Sequence, residues 1–247
     1  MILAALHLLA ALTSAEAIAV ILNTAESTSA KTYAEAREIV TRDAHAGKPL
    51  QQFVYGLKLK DDDPERAARY LADARIKIGA LAENSNNSLA WFLLASDRDD
   101  LSLLRRAADL GNVQALNALG TIGIENAGQV QSSEKAENIR RQCFELFQKA
   151  AQRKDMNGIF NVASCQLNGI GCARDREAAF QGFLLAARAG QPRAMETLAE
   201  CYRLGCGCTK DIEQSLRWQM RARVARGDSA AEKWLAEREK TDAEERK

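Results

Sequence analysis

The side chains of this chain with the most capacity for chemistry are six cysteines: Cys143, Cys165, Cys172, Cys201, Cys206 and Cys208. Cys165 and Cys172 are seven residues apart, as are Cys201 and Cys208. Three chemistries suit such pairs: disulfides, a thiolate metal site, or small buried thiols filling apolar slots. The spacing of Cys201, Cys206 and Cys208 fits no C-x2-C zinc knuckle and no histidine is nearby, so no metal site is assigned. His7 and His45 stand far apart, and no histidine-based nucleophile system can be assembled from them. Ser132-Ser-Glu-Lys135 matches the S-x-x-K of penicillin-interacting serine enzymes, but the companion S-D-N and K-T-G are missing. Ser132 or Ser133 is more simply the cap of the helix that follows. No catalytic residue and no cofactor is expected.

The elements that carry the cysteine pairs recur. Ala163-Ser-Cys165-Gln-Leu-Asn-Gly169-Ile-Gly171-Cys172-Ala-Arg-Asp175 returns as Ala199-Glu-Cys201-Tyr-Arg-Leu-Gly205-Cys-Gly207-Cys208-Thr-Lys-Asp211, with an offset of 36 at every matched position. A period of that length signals stacked structural repeats. Ala194, Leu198, Ala199 and Tyr202 share one face of a helix ending near Gly205. The glycine pairs supply the positive φ angles that a tight reversal needs. Asp175 and Asp211 then cap a second helix, whose buried face in the first copy is Ala178-Ala179, Gly182-Phe183 and Ala186-Ala187. Each unit is an αα-hairpin that buries its faces only against its neighbours.

This pattern resembles the Sel1-like repeat, a relative of the tetratricopeptide repeat with a longer turn inside each unit. The best match is Asn157 to Arg223, where Cys172 and Cys208 replace the usual valine. Residues 112–151 match at Ala115, Leu119-Gly120 and Ala150-Ala151, but the expected loop, Glu125 to Glu137, lacks Gly-x-Gly. The resemblance extends over about residues 32–227 and implies an all-α, right-handed α-solenoid of about five units, the clearest at 112–151, 157–189 and 193–226.

Upstream, Thr32 to Gly47 reads as a second helix and Leu50 to Leu59 as a first helix with Gly56 at a close approach. Asp63-Pro64 opens the next, an acid cap followed by proline at the first helical position. Ser88–Ser96 and Asp100–Leu110 form a shortened unit, and residues 228–247 a capping helix, using Trp234 and Leu235, with a charged tail. Residues 1–17 read as a signal peptide: the apolar run Ile2–Leu12 precedes Ala15-Glu-Ala17, an A-x-A cleavage pattern. No Lys or Arg precedes the run, and a first helix or an uncleaved anchor are the alternatives. Residues 18–31 read as a linker. Cleavage implies export, periplasmic or secreted; retention of the leader implies a cytoplasmic protein. After cleavage no integral membrane segment is expected.

In an oxidising compartment the glycine turns would fold Cys165 onto Cys172 and Cys201 onto Cys208, within the roughly 5.5 Å Cα separation of a disulfide. Each closed loop would add about 2 kcal/mol. Net charge is +1, which gives no reason to expect nucleic acid. The resemblance implies a concave groove lined by Gln114, Asn117, Asn157, Phe160, Arg193, Glu196, Glu200 and Arg203, presented to a protein or peptide partner by a non-enzymatic scaffold. It also brings a rival, since some cysteine-rich proteins of this type are described as β-lactamases. An intact mass of protein from its native cell, unfolded and alkylated without reductant, separates the outcomes. Export predicts a mass starting at Ile18 with four or more cysteines unalkylated; a mass starting at Met1 with six alkylated cysteines contradicts it.

Overall fold

A computed structural model describes Ile18 and residues 30–245. Among the described residues the regular structure is twelve α-helices and no strand. They are α1 (Ala30–His45), α2 (Pro49–Leu59), α3 (Pro64–Ser85), α4 (Ser88–Arg98), α5 (Leu101–Asp109), α6 (Val113–Ala127), α7 (Ser133–Gln152), α8 (Met156–Asn168), α9 (Arg176–Arg188), α10 (Pro192–Leu204), α11 (Ile212–Ala225) and α12 (Ser229–Glu245). The leader assigned to residues 1–17 lies outside the described residues. Each helix packs on its neighbour in sequence, and the broadest pairings are α2 with α3, α6 with α7, α8 with α9 and α10 with α11. This is the all-α solenoid that the repeat implies.

The caps explain where the helices start. Asp63 accepts from the Arg66 amide at 3.0 Å, Asp175 from Ala178 at 2.9 Å and Asp211 from Gln214 at 2.9 Å. Each bond satisfies an amide that has no partner inside its own helix, and a cap of this kind is worth about 1 kcal/mol. The helices stop at glycine: Gly169 and Gly205 follow α8 and α10 with φ of 70° and 72°. Residues 125–137 depart from the expected loop. With no Gly-x-Gly to stop it, α6 runs on to Ala127, and Ser132 caps α7 by accepting from the Lys135 amide.

The second glycine of each turn makes the joint between units. A Cβ on Gly171 would overlap the Arg140 carbonyl of α7, and one on Gly207 would overlap the Arg176 carbonyl of α9. Residues 140 and 176 are themselves 36 apart, so the same contact recurs from unit to unit. Small residues allow the other close crossings. A Cβ on Gly56 would stand 2.8 Å from Leu71 Cγ, one on Gly158 2.6 Å from the Ala151 amide, and one on Gly182 2.7 Å from Ala163 Cβ. Between these crossings lie apolar clusters. Phe53, Leu71, Ile78 and Leu93 fill the first units, while Phe160, Phe183, Leu198 and Trp218 fill the last. Full burial of a side chain such as Phe183 contributes about 1.5–3 kcal/mol.

Gly207→Ala combines a positive φ of 74° with that overlap, whereas Gly190, at φ 92°, has open space around it. Gly190→Ala should therefore cost about 1–2 kcal/mol, from backbone strain alone. Gly207→Ala should cost about 1–3 kcal/mol more, from overpacking. Thermal melts of the two variants check the order; equal losses would remove the joint.

Candidate functional site

Seven of the eight expected groove residues, all but Phe160, stand half-buried or exposed on α6, α8 and α10. On α6, Asn117 donates through Nδ2 to Asp155 Oδ2 at 2.7 Å and accepts at Oδ1 from Asn161 Nδ2 at 3.1 Å. Asp155 also caps α8, accepting from the Gly158 amide at 2.8 Å. One unit further, Gln191 donates to Asn157 Oδ1 at 2.7 Å. Amide side chains thus bridge α6 to α8 and α8 to the start of α10. Gln114 stands half-buried on α6, near its first turn.

The α10 end of the stripe is charged. Glu196 pairs with the Arg226 guanidinium, one contact being 3.0 Å, and Glu200 pairs with Arg203, one contact being 2.7 Å. These hydrogen bonds hold both carboxyls below the usual range of a glutamate. Phe160 is the exception to the expected lining. It is 5% exposed, its ring packs 5.4 Å from that of Phe183, and the Arg193 guanidinium lies 4.9 Å from its centroid. Arg193, not Phe160, meets solvent there. Sequence reasoning missed Asn161, Asp155, Gln191 and Arg226. Asn161 lies four residues after Asn157, on the next turn of the same helix, and that spacing would have found it.

The cysteines form two clusters. Cys143 and Cys165 are buried with Phe147, and Cys172 packs against them. Cys201 is buried with Cys206 and Cys208 at its edge, and the Cys208 thiol donates to the Cys201 carbonyl at 3.5 Å. All six cysteines are free thiols, so the two disulfides expected from the sequence are not formed here. Burial, reinforced by neighbouring thiols, raises Cys165 and Cys201 to about 12 each. Burial also raises Cys143, Cys172 and Cys208. No group of three or more His, Cys, Asp or Glu among the described residues is placed to hold a metal ion. Nor is any described helix long and apolar enough to cross a membrane. Ser132 uses its oxygen as the α7 cap.

Comparison with known proteins bears on the repeat fold. The family model for the Sel1 repeat matches residues 101–112, 114–155, 157–191 and 192–218. Residues 101–218 are therefore Sel1-like repeats, and repeats of this kind generally serve as protein–protein interaction scaffolds. Among solved structures, the chain is similar to a protective antigen present in uropathogenic Escherichia coli strains that displays an SLR fold. The identity is 22% and the TM-score 0.52, over 82% of this chain and 45% of that one. It is also similar to a Sel1 repeat protein from Oxalobacter formigenes, at 21% identity and TM-score 0.48, over 88% of this chain and 63% of that one. The chain thus spans about half the length of the first of these structures and under two thirds of the second. Among curated proteins, none matches the chain.

Thiol alkylation proceeds through the thiolate. In the folded, fully reduced protein at pH 8, iodoacetamide should leave Cys165 and Cys201 unmodified while reduced, unfolded protein reacts at both. Peptide mapping reads this directly, and rapid labelling of Cys201 in folded protein would contradict its burial.

Proposed function

We propose that this protein is a non-enzymatic scaffold whose concave face docks an extended segment of a partner protein. The amide ladder Asn117–Asn161 with Asn157–Gln191 supports the reading most. It sets hydrogen-bonding side chains on rigid, stacked helices, where little side-chain freedom remains to be lost on binding. Asn157 accepts from Gln191 and keeps its own Nδ2 group to donate, while Asn161 donates and keeps its Oδ1 to accept. Alternating donors and acceptors suit a peptide backbone, which offers the same alternation. Nothing favours the β-lactamase-type alternative, because the Ser132 oxygen already serves its helix.

We further propose that the protein works outside the cytoplasm, with Cys165–Cys172 and Cys201–Cys208 closed as disulfides there. The N-terminal apolar run with its A-x-A pattern and the clustering of each pair support this.

A photoreactive amino acid placed at 197 on the first helix α10, and at 181 on α9, tests the docking face in the native cell. Position 197 should give a discrete cross-linked band that position 181 lacks. Cross-links from 181 alone would move the docking face to the second helices.

A further inference from the structure

The charges along the stripe are unevenly satisfied. Glu196 is held by Arg226 and Glu200 by Arg203. Arg193, on the same face of α10, is exposed and, among the described residues, has no carboxylate partner. Its position is nonetheless fixed. The guanidinium lies over Phe160, whose ring is buried against Phe183, while Asn157 sits one turn before Phe160 on α8. A guanidinium laid on an aromatic face keeps its N–H groups at its rim, in the fork geometry that receives a carboxylate through two parallel hydrogen bonds. The cation–π contact removes side-chain freedom in advance, so less is lost when an anion binds.

We infer that Arg193 determines the specificity of the groove by taking an acidic side chain, Asp or Glu, of the docked segment. This rests on the docking reading proposed above. The neighbouring amides of Asn157 and Asn161 take the backbone of the same segment. An internal side chain fits better than a chain terminus, because the stripe continues past Arg193 in both directions, to Asn157 and Asn161 on α8 and to Glu196 and Glu200 further along α10. Glu196 and Glu200 also add negative charge on the α10 side, which disfavours acidic residues there and fixes the register.

A displayed library of random twelve-residue peptides, flanked by fixed sequence on both sides, is selected on the full chain and on Arg193→Gln and Arg193→Glu. Circular dichroism confirms that both variants fold. The wild type should enrich peptides with Asp or Glu at one fixed position. Those peptides should bind Arg193→Gln about tenfold more weakly, and Arg193→Glu should enrich Lys or Arg at that position. An acidic preference unchanged in Arg193→Gln overturns the role of Arg193 and leaves the docking groove standing. Enrichment only from a library with free C-termini overturns the internal side chain in favour of a terminal carboxylate. No enrichment on the wild type in either library overturns the docking reading itself, and this inference with it.

Discussion

The structure depends on the contact between a turn glycine and the backbone of the unit before it. Gly171 lies against Arg140 and Gly207 against Arg176, each so close that no side chain fits between. That contact fixes how far each hairpin advances on the last, and hence the spacing at which first helices present their outer residues. A solenoid has no contacts distant in sequence to correct a slipped unit, so its order is the product of such local joints. The amide bridges from Asn117 and Gln191 exist because the joints hold α6, α8 and α10 in register.

The same constraint explains the division of labour between the two faces of each helix. Inward positions carry small or aromatic residues whose burial drives stacking: Ala163, Ala186, Ala187, Leu198 and Ala199 are nearly inaccessible. Outward positions on α8 and α10 carry amides and charges that contribute little to stability when exposed. They are therefore free to vary with a partner. The fold and the proposed docking function thus draw on different residues of the same helices, with Arg193 as a link, since it covers core Phe160 while meeting solvent.

Much of this was legible in the sequence because it is locally encoded. Caps such as Asp63, Asp175 and Asp211, and stops such as Gly169 and Gly205, act within a few residues of themselves, and the 36-residue offset makes all but Asp63 visible twice. Contacts between units were less legible. Phe160 falls in the register of groove residues yet turns into the core, because Phe183 offers it a ring and Arg193, 33 residues on, covers it. The reach of α6 to Ala127 is hidden for a different reason: no Gly-x-Gly marks an end there, and a helix without a stop continues. The members of each cysteine pair pack close to one another, but their bonding depends on the redox poise of the compartment, which residue spacing does not encode.

Residue-resolved hydrogen exchange on Gly171→Ala tests most directly the claim that nearest-neighbour glycine joints carry the stack. Faster exchange should appear in the first turns of α7 and through α8 and α9, while α1–α4 keep their wild-type protection. Uniform loss of protection across the chain, or no change at α7–α9, would contradict a structure assembled joint by joint.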